Sequence, residues 1–393
     1  MNEPKIRFKG FEGEWEKVKF SDILLVNSGK DYKFLENGNV PVYGTGGYML
    51  SVNKSLSDCD AIGIGRKGTI NKPQYLHAPF WTVDTLFFLT PIKEDNLTFL
   101  YSFAQIINWE KYDESTGVPS LSKTNIDKIE ILMPGKAEQQ AIASYFTHLD
   151  TLITTSTSRL ASLKQMKAAS LQAMFPQEGE TVPKIRFKGF EGEWEKVKFE
   201  EAFGFLKNNS LSRAELSDQG IVMNVHYGDV LIKYPDCLDV EKEEVTFVKD
   251  SSLANKLYGA CPLQKGDVIF ADAAEDNTVG KCTELVNCDG PIVSGLHTIP
   301  VRPLRNYASR YLGYYLNSPS YHNQLLVHIQ GSKISSISKR ALAQTLAVAP
   351  KTVAEQRAIA SYFTSLDKQI TLLSQRLEKL KQIKSACLDK MFV

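Results

Sequence analysis

From Leu366 to Met391 apolar side chains return every third or fourth residue, at Leu366, Ile370, Leu373, Leu377, Leu380, Cys387 and Met391, with Lys384 completing the series. Steps alternating between four and three are the spacing of a coiled-coil seam on one face of a long helix. The same phase holds at Leu149, Ile153, Leu160, Leu163 and Met174, where Ser156, Lys167 and Ser170 fill the remaining seam positions. Each stretch follows a proline, Pro134 or Pro350, and from Ala137 and Ala354 onward about forty residues pass without Pro or Gly. The pattern predicts two long helices, over residues 135–175 and 351–393. An apolar stripe needs a partner, and the other copy in the same chain supplies one. Two copies related by a pseudo-twofold axis pack antiparallel, as an intramolecular coiled coil.

The rest of the chain is patterned differently. Short aromatic and β-branched runs, such as Trp81 to Leu89 and Asp267 to Phe270, are separated by Gly, Asn, Asp and Pro, with brief helical stretches such as Asn306 to Leu316. These read as mixed α/β domains, so the fold class is α+β with two such domains separated by the long helices.

The chain also repeats itself. Pro4 to Phe20, PKIRFKGFEGEWEKVKF, recurs unchanged as Pro183 to Phe199. A second pair, AEQQAIASYFTHLD at Ala137 to Asp150 and AEQRAIASYFTSLD at Ala354 to Asp367, recurs at a wider interval. The segment between the repeated ends is therefore longer in the second half, and no register aligns the two inserts. The predicted domains are an N-terminal scaffold segment (1–20), a first variable domain (21–134), a helical region (135–175), a linker with the repeated scaffold segment (176–199), a second variable domain (200–350) and a second helical region (351–393). Drift after a duplication does not spare seventeen consecutive residues while erasing more than a hundred others. Shared framing around divergent inserts implies conserved geometry carrying two specificities.

Composition narrows the function. Six cysteines without a C-x-x-C pair and six scattered histidines predict reduced thiols and no metal. The N-terminal residues lack an apolar core and no apolar run reaches the ~18 residues of a membrane span, so the expectation is a cytoplasmic protein with no membrane partner. No Pro-Pro pair occurs, which excludes the Asp/Asn-Pro-Pro-aromatic loop of amino-methyltransferases, and no phosphate-binding G-x-x-x-x-G-K-[ST] loop is present. Pro235-Asp236 is not followed by the Asp/Glu-x-Lys of a nuclease. Gly63 to Gly68 matches G-x-G-x-x-G, but Pro73 and β-branched neighbours follow where a helix should open, so the segment is expected to be a hairpin or loop. No catalytic residue and no cofactor site is predicted.

The two helical entries, Pro134 to Gln139 and Pro350 to Gln356, each ending in Ala-Glu-Gln and followed by Ile-Ala-x-Tyr-Phe and Leu-Asp, resemble those of type I restriction-modification specificity (S) subunits. So do the Trp-Glu-x-Val-x-Phe openings at Trp15 and Trp194, and in the first insert Tyr43 to Tyr48, Ala61 to Gly68 and Gly117 to Ser122. In the second insert Gly266 to Phe270 and Gly331 to Ser338 correspond less faithfully. The resemblance covers essentially the whole chain. It implies a non-catalytic subunit whose two target recognition domains read a bipartite, asymmetric site in double-stranded DNA. Its helical regions would bind methyltransferase (M) subunits, two of them, with restriction (R) subunits joining in the full complex. S-adenosylmethionine and ATP with Mg would belong to those partners. The seam from Leu149 to Met174 is ~39 Å long at ~1.5 Å per residue, near the ~34–36 Å of one DNA turn, so the half-sites are expected about a turn apart.

Base and phosphate contacts require polar and basic side chains on exposed loops. The candidates are Thr45, Tyr48, Arg66, Lys67, Ser120 and Lys123 in the first domain, and His226, Tyr227, Lys281, Gln330, Ser332 and Lys333 in the second. Charge runs against a simple DNA grip, since residues 21–134 hold ten basic and thirteen acidic residues and residues 200–350 hold fourteen and seventeen. A weak intrinsic grip is therefore expected, with partners completing the clamp. A coiled-coil adaptor with two ligand-binding inserts and no nucleic-acid role is the alternative. The identical segments would also permit exchange of recognition domains by recombination.

Overall fold

The computed structural model describes residues 2–92, 96–329 and 335–393. The chain divides into two compact units, one formed by residues 1–158 with 373–393 and the other by residues 159–372. The two long helices, Lys136–Ala173 and Val353–Met391, each contribute to both units.

In the first unit a four-stranded antiparallel sheet is ordered Leu24–Ser28, Leu86–Pro91, Ala61–Gly65, Gln74–Leu76. A second sheet places Asn37–Gly44 between Gly47–Val52 and the short Trp81–Thr82, the last pairing in parallel. Trp81 to Leu89, one apolar run in the sequence, is thus broken at residues 83–85 into strands of two different sheets. Ala61–Gly65 turns back to pair antiparallel with Gln74–Leu76, with Ala61 opposite Leu76. The G-x-G-x-x-G segment is therefore a hairpin and opens no helix. Gly65 has to be glycine, because a Cβ there would lie 2.0 Å from the Thr69 carbonyl oxygen.

The second unit contains a five-stranded sheet, Phe203–Phe205, Thr298–Pro303, Val268–Ala271, Cys282–Asn287, Cys237–Asp239, and a four-stranded sheet, Leu216–Ser217, Thr246–Val248, Met223–Val225, Ile292–Ser294. The helix expected over Asn306 to Leu316 is Tyr311–Asn317. It starts late because the buried Glu284 carboxylate takes the backbone N–H groups of Arg310 (2.6 Å) and Gly313 (2.9 Å), fixing where the first turn begins.

The repeated sequence builds the same joint in each unit. Glu16–Lys19 pairs antiparallel with Glu130–Met133, and Glu195–Lys198 with Leu346–Ala349. The glutamate of each Ala-Glu-Gln motif is buried and takes a two-pronged arginine: Arg7 on Glu138 and Arg186 on Glu355, each at 2.7 and 2.8 Å. The adjacent glutamine closes the helix entry. Gln139 donates to the Pro134 carbonyl and accepts from the Asn96 backbone, and Gln356 does the same with Pro350 and Ala308. Ile6 N–H donates to Lys390 O in one unit and Ile185 N–H to Ala173 O in the other, both at 2.9 Å. Residues 4–20 thus follow the end of the second long helix in space as 183–199 follow the first in sequence.

Within each unit the long helices run antiparallel. In the first, Tyr145 meets Cys387 and Phe146 meets Phe392; in the second, Tyr362 meets Ser170 and Phe363 stacks on Phe175. The seam positions Leu149, Leu163, Leu366 and Leu377 are buried, and Ile153, Leu160, Ile370, Leu373 and Leu380 are half-buried. Each fully buried Leu contributes about 1.5–3 kcal/mol.

Candidate nucleic-acid interface

In the first unit the loop Arg66 to Gly68 lies against residues 119–121. Lys67 and Ser120 form an isolated antiparallel bridge, Gly68 N–H donates to Pro119 O at 2.8 Å, and Leu121 N–H to Arg66 O at 2.9 Å. Asp113 Oδ1 takes the N–H groups of Ser115 and Ser120, each at 2.9 Å, and those hydrogen bonds hold its carboxyl below the usual range. Ser122 caps the helix Lys123–Asp127 by accepting from Asn125 N–H. The result is a basic cluster around one ring: the Arg66 guanidinium lies 5.7 Å and the Lys123 ammonium 5.9 Å from the Phe87 centroid. Arg66, Lys67 and Lys123 are exposed and Ser120 is half-buried.

Thr45 and Tyr48 belong to the neighbouring hairpin. Gly47, at φ +111°, closes the tight turn after Gly44, a conformation that side chains resist. Thr45 is half-buried and its carbonyl accepts from Gln74, while Tyr48 is 63% exposed. Backbone bonds link this hairpin to the Arg66 loop through residues 83–85, since Val83 N–H donates to Tyr43 O at 3.0 Å and Arg66 N–H to Thr85 O at 2.8 Å. Five of the six first-domain candidates thus share loops tied by main-chain bonds, with Lys123 joined through Phe87.

The three described second-domain candidates lie around one short helix, and two of them are turned inward. His226 is buried and caps the helix Tyr227–Ile232, its Nδ1 accepting from Gly228 N–H at 3.2 Å; burial, then the nearby Arg213, lowers its pKa. Tyr227 is half-buried with its ring 4.7 Å from His226 and 5.2 Å from His297. The Lys281 ammonium is turned onto the carbonyls of Leu231 (2.9 Å) and Tyr234 (3.3 Å), and burial lowers its pKa. That engages two of its three donors inside the domain. Gln330, Ser332 and Lys333 lie outside the described residues.

Four residues not singled out in the sequence, in two pairs, converge beside Tyr227. Arg213 grips the buried Asp229 with two bonds of 2.7 Å while remaining 48% exposed. His297 places Nδ1 3.1 Å from Asp272 Oδ1. Burial raises the Asp272 carboxyl, and His297 opposes that rise. Nothing in the local sequence marks these pairs, whose members lie 16 and 25 residues apart. Among the described residues no group of three or more His, Cys, Asp or Glu is placed to hold a metal ion, and no helix is long and apolar enough to cross a membrane.

Comparison with known proteins supplies the family. The chain is 25% identical over 165 residues to the type I restriction enzyme MjaVIII specificity subunit of Methanocaldococcus jannaschii, an alignment covering 40% of this chain and 36% of the relative. The chain thus spans about a third of the length of the curated relative it matches. Its fold is similar to the crystal structure of the type I restriction-modification S subunit from M. genitalium, with a TM-score of 0.65 at 15% identity, covering 100% of this chain and 99% of the other. A chain from a structural study of complex assembly and conformational transition in the type I R-M system is similar with a TM-score of 0.52 at 14% identity, over 96% and 97%. The type I restriction modification DNA specificity domain matches twice, over residues 12–165 and 191–382. With that domain present in both repeats, the chain belongs to the family of type I restriction-modification specificity subunits.

Proposed function

We propose that this chain reads a bipartite, asymmetric site in double-stranded DNA, each variable domain taking one half, and directs adenine methylation or restriction by partner subunits without catalysing either. The carrying observation is the pairing of a repeated joint, down to Arg7–Glu138 and Arg186–Glu355, with two inserts of different strand order. A frame that holds two unlike domains in the same local geometry suits two half-sites of different sequence. The exposed Arg66, Lys67 and Lys123 suit phosphates or guanine edges in the first half. Methyltransferase subunits, two per chain, would dock on the helical regions and bring S-adenosylmethionine; restriction subunits would bring ATP and Mg. The cytoplasm, where DNA and these subunits meet, is the corresponding location.

The test is methylation mapping by long-read sequencing of a host expressing the chain with a type I methyltransferase subunit, before and after residues 21–134 are replaced by another recognition domain. A bipartite adenine motif of which only one half changes supports the reading. A motif indifferent to the chain would favour the adaptor instead.

A further inference from the structure

Among the described residues two that are not glycine have a left-handed backbone, Arg310 at φ 73° and His297 at φ 51°. Such a conformation costs of order 1–3 kcal/mol and persists only where the surroundings impose it. Arg310 has a structural cause, since its N–H is drawn to Glu284 at the start of a helix. His297 has a different setting. It sits on a turn clamped from below: Ser294 Oγ and Thr298 Oγ1 are 2.7 Å apart, Thr298 Oγ1 donates to Gly295 O at 2.6 Å, and Gly295 N–H donates to Val225 O at 2.8 Å. The His297 carbonyl accepts from Asp272 N–H at 3.0 Å. The strain delivers an imidazole that is 52% exposed yet held at one edge.

His297 Nδ1 faces Asp272 Oδ1 at 3.1 Å, and a carboxylate only accepts hydrogen bonds, so this contact selects the tautomer with its proton on Nδ1, in which Nε2 is an acceptor. Tyr227 packs edge-on at 5.2 Å against the ring. In the same unit Arg213 is locked on Asp229 through both terminal nitrogens while its side chain stays 48% exposed, a cation within reach of a phosphate. In the major groove only adenine N6 and cytosine N4 donate, whereas guanine and thymine offer acceptors at the equivalent edge.

We propose that His297 is a base-reading residue of the second recognition domain, taking a hydrogen bond at Nε2 from the exocyclic amine of an adenine or a cytosine, with Asp272 as its positioning residue. This inference rests on the DNA-reading function above.

The experiment maps the methylated motif in hosts expressing wild-type chain, His297→Gly, His297→Asn or Asp272→Asn with the methyltransferase subunit, and follows thermal unfolding of each purified chain. Glycine relieves the backbone strain and asparagine tolerates it, so neither variant is expected to melt below the wild type. At one A or C position in the half-site that does not follow replacement of residues 21–134, both variants should lose discrimination about tenfold. Asp272→Asn frees the tautomer and should admit an acceptor-bearing base at that same position. Unchanged motifs in both His297 variants would overturn the inference, as would a lowered melting temperature in both. A wild-type chain that directs no motif would instead remove the underlying reading.

Discussion

Lys167 Nζ lies 2.7 Å from Asp367 Oδ1, linking the two long helices, and the same pair recurs in the other unit, with the helices exchanged, as Lys384 and Asp150 at 2.6 Å. A lysine in a coiled-coil seam weakens packing unless it finds a partner, and here the partner is the aspartate of the repeated Leu-Asp motif. Each lysine also reaches its own variable domain, Lys167 to Asp236 at 2.8 Å and Lys384 to Gln105 at 3.1 Å. Burial alone would lower the Lys167 ammonium, but Asp236 and Asp367 outweigh it and hold it above its ordinary value.

The two copies should therefore respond unequally to loss of the lysine. Lys167→Met leaves two partly buried carboxylates facing one another, and a loss of about 3 kcal/mol is expected in urea unfolding. Lys384→Met leaves Asp150, 42% exposed, beside a neutral amide, and should cost about 1 kcal/mol or less. Equal effects would show that the variable-domain contact does not matter.

The arginine forks should be costly in both halves. Glu138 and Glu355 have side chains only 4% and 3% exposed, so Arg7→Ala or Arg186→Ala strands a buried charge and should destabilise by about 3 kcal/mol. Arg186→Lys should recover only part of this in urea unfolding, because a single ammonium cannot supply the paired bonds.

Stability should fall as pH rises through the range set by Glu284. Burial pushes its carboxyl up to about 7, above the ordinary 4.5, against backbone hydrogen bonds that lower it. The folded state then binds more protons than the unfolded one between those values. The Glu284 contribution is accordingly greatest below the unfolded pKa and is lost progressively as pH rises to about 7, after which it is flat. Urea midpoints of wild type from pH 5 to 8 should show this decline, and Glu284→Gln should remove it.

Arg66→Ala and Lys123→Ala should weaken DNA binding by the assembled subunits and reduce the slope of log affinity against log salt by about one for each phosphate contact removed. Anisotropy titrations across salt concentrations measure this. A loss confined to one target sequence, with the slope retained, would instead assign that side chain to a base edge.

The repeats, the helices and their seam follow from local spacing alone. A period of three and four residues and a seventeen-residue identity are properties of the linear chain, and they lead to helical pairing because an apolar stripe has to be covered. The Ala-Glu-Gln motif was visible as a repeat, yet its work, a buried carboxylate held by Arg7 or Arg186 from 131 or 169 residues away, needed the fold. The candidate readers divide in the same way. Arg66 and Lys67 were legible because a Gly-bounded turn exposes whatever it carries, whereas Lys281 and His226 looked available and are engaged by main-chain groups inside their domain. His297 carried no local signal, since its strained backbone and its hold on Asp272 arise only when turns distant in sequence close together. Sequence determined which segments repeat and which faces are apolar, because those depend on neighbours along the chain; tertiary structure alone decided which polar groups are already satisfied, because hydrogen bonds form between residues that the chain does not place side by side.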